Sequence, residues 1–87
     1  MYTIVFKKSA EKDLSFINYK IIKRIINKVE NLKNNPFPQN STKLIGTELT
    51  YRLRVGDYRI IYQIDEANKI ITIYYIRHRK DVYRKLK

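Results

Sequence analysis

The chain has no cysteine, two glycines, two prolines and a single histidine among its 87 residues. Without cysteine there can be neither a disulfide nor a thiolate metal site, which suits a reducing cytoplasm. Glycine this scarce leaves no glycine-rich run to cradle a nucleotide phosphate. No apolar run approaches the length of a membrane helix, and the N-terminus MYTIVFKKSA lacks the basic-then-apolar order of a signal peptide. A soluble cytoplasmic protein with no membrane partner is therefore expected. No His, Asp and Glu residues recur at metal-ligand spacing, so neither a metal nor another cofactor is expected. The acidic residues form no evident acid/base pair. His78 stands alone, and a lone histidine is more often structural than catalytic.

What the chain has in excess is positive charge: a net +11, with 19 Lys and Arg against 8 Asp and Glu. A field of that sign concentrates polyanions, so nucleic acid is the leading partner class. The two kinds of basic residue are also segregated. Eight of twelve lysines lie in residues 1–51, whereas six of seven arginines lie in residues 52–87. Lysine is the ordinary solvated charge, while the planar arginine fork matches phosphate. The sharper chemistry belongs to the C-terminal half.

A hydrophobic fraction of 44% is enough for one core, and 87 residues leave no room for a second, so residues 1–87 are expected to form a single domain. Residues 2–6, YTIVF, predict a first strand. Residues 9–17 and 19–33 predict a helical hairpin, with Ser9 as N-cap of the first helix and Ile21, Ile22, Ile25, Ile26, Val29 and Leu32 as the apolar stripe of the second. Asn34, Asn35 and the PFP of 36–38 end it, and 36–47 read as a loop. From Leu49 the period changes from helical to two. Strands are expected at 49–55, 58–65 and 69–79, joined by Gly56-Asp57 and by EAN, with KDVYRKLK as a short C-terminal helix or tail. The fold class that follows is α+β: an N-terminal strand, a helical hairpin and a three-stranded antiparallel meander in a curved sheet.

Side-chain parity asks where the arginines go. Leu49, Tyr51, Leu53 and Val55 share one face of their strand, and Thr50, Arg52 and Arg54 the other. On the next strand Tyr58, Ile60, Tyr62 and Ile64 form the more apolar set, which leaves Arg59, Ile61 and Gln63 on the open face. On the last strand Ile70, Tyr74 and Ile76 are assigned to the helix side and Arg77 to the open face. Four arginines from three strands then converge, which calls for an anion between them; solvated edge charges are the bland alternative. Tyr83 lies beyond the last strand among basic residues. It either stacks on a base, takes part in proton transfer, or anchors the tail.

The segments YRLRVGDYRIIYQID and ITIYYIRHRKDVYR, with the N-terminal FKKSAEKDLSFI and the helical hairpin, closely resemble the RelE/ParE superfamily of bacterial and archaeal toxins over nearly the whole chain. The resemblance implies a toxin of a type II toxin–antitoxin pair, related in fold to small microbial ribonucleases. RelE-like members cleave mRNA in the ribosomal A site without a metal, and ParE-like members poison DNA gyrase. RelE-like toxins carry basic residues at the positions of Arg52, Arg54, Arg59 and Arg77 and a tyrosine at that of Tyr83, although lysines are common where Arg52 and Arg54 stand. The expected function is thus a ribosome-dependent mRNA endoribonuclease, with a gyrase inhibitor and a non-catalytic RNA-binding module as alternatives. Arg59, Arg77 and Tyr83 are the expected catalytic residues. Arg52, Arg54, Arg79 and Lys80 are expected to bind RNA. The implied partners are the ribosome, mRNA, and an acidic RelB-like antitoxin that wraps the toxin.

Overall fold

The computed structural model describes residues 1–44 and 49–81. In chain order the elements are β1 (Thr3–Phe6), α1 (Lys8–Leu14), α2 (Tyr19–Asn31), β2 (Ser41–Lys43), β3 (Thr50–Val55), β4 (Tyr58–Asp65) and β5 (Ile70–His78). The strands form one five-stranded sheet in the order β1-β5-β4-β3-β2. The expected meander is its centre: β3, β4 and β5 pair antiparallel. Two features extend it. β1 runs parallel to β5, so the sheet is mixed. Residues 41–43, expected within a loop, form β2 along the outer edge of β3. Three residues of Ser-Thr-Lys carry too little pattern to announce a strand, and it is the neighbouring edge that recruits them. The expected C-terminal helix or tail begins as a helical turn at 79–81; the rest of it lies outside the described residues.

The two helices of the expected hairpin form, and the second ends at Asn31 and not at residue 33. Ile25, Val29 and Leu32 are buried and Ile21 is partly so, packed against Leu53, Val55, Ile60, Tyr62, Ile64, Ile71, Ile73 and Ile76. Each fully buried aliphatic side chain in this layer contributes about 1.5–3 kcal/mol of transfer free energy. α2 is capped by Asn18, whose Oδ1 accepts the Lys20 N–H at 2.9 Å. α1 ends at Leu14, short of residue 17. The amides of Phe16 and Ile17 donate to the carbonyls of Asp13 and Leu14, three residues back, so the last turn tightens and the helix stops. Ser9 lies inside α1 and is not its cap; that position is Lys7, which makes no side-chain cap bond. Leu49 precedes β3 and is exposed.

Parity on β5 departs from the simple alternation. Ile61 pairs with Tyr75 and Tyr62 pairs with Ile73, so Tyr74 is an extra residue, a β-bulge. Before the bulge the core residues are Ile71 and Ile73; after it, Ile76. The expected inward set of Ile70, Tyr74 and Ile76 therefore holds only for Ile76. A bulge moves the phase by one residue, and period-two reasoning has no means of detecting it.

α1 explains how the bulge is held. β1 ends at Phe6, opposite Ile73, and beyond that point the edge of β5 has no strand partner. Ser9 and Asp13, one helical turn apart, take over. Ser9 Oγ donates to the Tyr74 carbonyl at 2.6 Å, and Asp13 Oδ2 accepts the Ile76 N–H at 2.9 Å. Two side chains thus satisfy the backbone at the bulge and two residues beyond it. Among the described residues no helix is long and apolar enough to cross a membrane.

Candidate functional site

The register of β3, β4 and β5 places Arg54 opposite Arg59 and Arg59 opposite Arg77, a row of three arginines across adjacent strands. Arg52 begins the next row, opposite Ile61, which in turn faces Tyr75. Directly opposed side chains have Cβ atoms about 4.5–5.5 Å apart, so like charges in such pairs repel. On the other side of the sheet, the β4 residues Tyr58, Ile60, Tyr62 and Ile64 belong to the core with the helices. The four arginines share the open face, as parity on β3 and β4 anticipates. The bulge restores Arg77 to that face from a different inward set.

Each arginine head group is held differently. Arg59 is 7% exposed, and its Nη1 donates to the carbonyls of Gly56 (3.0 Å) and Tyr58 (3.1 Å). No side-chain nitrogen of Arg59 is both buried and without a partner. Arg77 donates from Nε to Asp13 Oδ2 at 2.9 Å, and its Cζ lies 4.8 Å from the centre of the Tyr75 ring. Asp13 supplies the one ion pair to this face among the described residues. Arg52 and Arg54 carry no side-chain hydrogen bond there, and with Arg59, Gln39, Asn40 and Thr42 they line an open cavity of about 330 Å³. Asn40 fastens the rim: its Nδ2 donates to the Arg54 carbonyl at 2.7 Å, and its carbonyl accepts the Arg54 N–H at 3.0 Å.

The Cα positions converge while the head groups separate, Arg59 toward the β3–β4 turn and Arg77 toward Asp13. Like charges in directly opposed pairs repel, which favours this separation, and an anion between the strands would offset the repulsion. Arg79 and Lys80 are exposed in the turn beyond β5 and outside the row; the Arg79 N–H donates to the Asp57 carbonyl at 2.7 Å, which ties that turn to the same end of the sheet. His78 faces away from Arg77. Its ring meets Tyr58 edge-on at 5.4 Å, and Nδ1 accepts the Lys80 N–H, a structural setting. Tyr83 lies outside the described residues.

Sequence reasoning missed Asp13, Asn40, Gln39, Thr42 and Tyr75. Asp13 had a legible sign, since with Ser9 it makes a polar pair at i, i+4 on a short helix that should show its apolar residues to the sheet. The residues of the 39–42 segment had none, because their role follows from the pairing of β2 with β3.

Residues 4–83 match the family model of the ParE toxin of type II toxin–antitoxin systems. The toxin RelG of Mycobacterium tuberculosis is 30% identical over 87 residues, with 97% of this chain and 98% of that protein covered. Among solved structures, a chain of the archaeal RelE–RelB complex from Pyrococcus horikoshii superposes with a TM-score of 0.81 at 30% identity, covering 90% of this chain and 94% of the other. A chain of the RelB–RelE complex from Methanococcus jannaschii gives 0.77 at 29% identity, covering 95% and 99%. Agreement over nearly the full length, in sequence and in fold, places the chain in the RelE/ParE superfamily, and it belongs to the toxins of type II toxin–antitoxin systems.

Proposed function

We propose that the protein is an mRNA endoribonuclease that acts in the ribosomal A site and arrests translation. The observation that supports this reading above all is the in-register row Arg54–Arg59–Arg77 with Arg52 beside it. In this reading Arg59 and Arg77 hold the scissile phosphate while Arg52 and Arg54 hold the flanking backbone. Arg79 and Lys80 add backbone contacts at the exit of the sheet. The 2′-hydroxyl gives up its proton and attacks the adjacent phosphorus, the bond to the 5′-oxygen breaks, that oxygen takes up a proton, and a 2′,3′-cyclic phosphate and a 5′-hydroxyl result. Guanidinium groups stabilise the charge of the phosphorane where it develops. They are poor proton acceptors, since they stay protonated well above neutral pH. Tyr83 is assigned to orient or activate the 2′-hydroxyl or to stack on the base; tyrosine in general, with a reference pKa of about 10, is poorly matched to base catalysis at pH 7. A site of this kind is a poor free nuclease. Alignment of mRNA by the ribosome, worth on the order of 7–11 kcal/mol, supplies what it lacks.

The test is induction of the chain alone, followed by mapping of mRNA ends on stalled ribosomes. Codon-phased cuts are expected, and Arg77→Ala should reduce the cleavage rate on the order of 100-fold or more while the fold survives. Equal cleavage by wild type and Arg77→Ala would remove the assignment of that residue. RNA binding without cut products would mark a non-catalytic RNA-binding module. A second reading follows from the match to the ParE description: a gyrase inhibitor, which would leave mRNA intact, inhibit supercoiling and provoke a DNA-damage response.

An antitoxin belongs to the same proposal. The P. horikoshii and M. jannaschii relatives are seen with RelB, and a chain carrying +11 is suited to an acidic, partly disordered RelB-like partner that wraps it. Co-purification from a two-gene expression unit tests this, and a toxin that purifies alone from it argues against such a partner.

A further inference from the structure

The Asp13 carboxylate does two things with one oxygen. Oδ2 accepts the Ile76 N–H at 2.9 Å and the Arg77 Nε–H at 2.9 Å. The first bond makes the oxygen part of the β5 edge, so its position is set by backbone and not by a free rotamer. The second therefore grips the guanidinium from a rigid point. Because the grip is on Nε, the two terminal nitrogens of Arg77 are left free of Asp13, and no hydrogen bond joins them to another of the described residues. The Tyr75 ring, 4.8 Å from Cζ, limits the head group from a second side. The ion pair is three-quarters or more buried on both sides, with 25% and 14% of the two side chains exposed, so it is less screened by salt than a surface pair.

We propose that Asp13 is a positioning residue for Arg77: it holds the guanidinium so that its Nη edge faces the phosphate, and does so at some cost in RNA affinity. This rests on the endoribonuclease reading and deepens it. The two effects have opposite signs, which makes them separable. Asp13→Asn keeps an acceptor for the Ile76 N–H but removes a negative charge beside the arginine row. RNA attraction then rises, while the bond to Arg77 Nε loses its charge assistance and holds the guanidinium less firmly. A residue that merely fastens α1 to β5 would show no dependence on Arg77, although loss of its charge would raise RNA affinity all the same.

The decisive experiment compares wild type, Asp13→Asn, Arg77→Ala and the double variant in single-turnover mRNA cleavage on purified ribosomes. Binding of a short RNA oligonucleotide by the free chain is measured in parallel. Asp13→Asn is expected to bind the oligonucleotide at least as tightly as wild type and to cleave about tenfold or more slowly, since small misplacements of a reacting group carry costs of that order. In the Arg77→Ala background it should cause no further loss. An equal loss in both backgrounds, or unchanged cleavage by Asp13→Asn, overturns the proposal. If wild type itself does not cut mRNA, the endoribonuclease reading fails, and the Arg77 Nε–H proton resonance then decides the tether. Slow solvent exchange in wild type and fast exchange in Asp13→Asn supports the grip, and equal exchange in the two overturns it.

Discussion

At the scale of single residues, the buried polar groups are the most exacting feature of this chain. Tyr62 has no exposed surface, and its hydroxyl donates to the Pro36 carbonyl at 2.9 Å across the core. Burial pushes its pKa up from 10.0 to about 12, with the neighbouring Tyr51 adding to the rise and the Ser41 hydroxyl opposing it. Replacing it with phenylalanine leaves the Pro36 carbonyl without its donor, and Tyr62→Phe should cost about 1–3 kcal/mol in urea denaturation at neutral pH. The pH dependence follows from the raised pKa. Below pH 10 the hydroxyl is neutral in both folded and unfolded chains, and its contribution is complete. As pH climbs from 10 toward 12 the unfolded chain ionises first, and that contribution is lost. The stability gap between wild type and Tyr62→Phe should therefore narrow over that interval, and a gap independent of pH would show that the buried hydroxyl is not its source.

At the scale of elements, turns and edges decide the geometry of the site. Gly56, which takes φ +58° in the β3–β4 turn, supplies the carbonyl that holds Arg59. A side chain added there would meet the Arg24 guanidinium at 3.5 Å, an ordinary contact with a flexible partner, so the backbone and not the neighbour limits substitution. Gly56→Ala should cost about 1–2 kcal/mol, and Gly56→Asn less, because asparagine tolerates the left-handed region. Denaturation midpoints would test both, and equal costs would point to a steric cause. The opposite turn shows a different device. Asp65 accepts two hydrogen bonds from Asn68, which hold its carboxyl below the ordinary carboxylate range. Such a group stabilises the fold above its unfolded pKa and stops doing so as pH falls through the folded one.

At the scale of the molecule, the charge pattern has a measurable consequence. If the arginine row engages phosphates, the affinity for single-stranded RNA should fall linearly in log–log form with salt. Each arginine removed from Arg52, Arg54 or Arg59 should lower the slope by about 0.7. Lys20 and Lys23, exposed on α2, provide the control. If their removal lowers the slope as much as loss of a sheet arginine, the open face has no special claim on RNA. The result would then describe only the field of a chain with net charge +11.

Apolar patterning by itself determined the three strands expected at 49–55, 58–65 and 69–79, observed at 50–55, 58–65 and 70–78, the stripe of α2, and the shared face of Arg52, Arg54 and Arg59. These are local properties, and the chain declares them wherever the period is unbroken. The fifth strand at 41–43, the parallel seat of β1 beside β5, and the bulge at Tyr74 were decided only by tertiary structure. Each depends on a partner distant in the chain. The same holds for the pairing of Asp13 with Arg77, 64 residues apart: its spacing from Ser9 marks a polar face on a short helix but does not say which arginine that face will meet. Pattern put the arginines on one face, and long-range packing gave each head group its orientation.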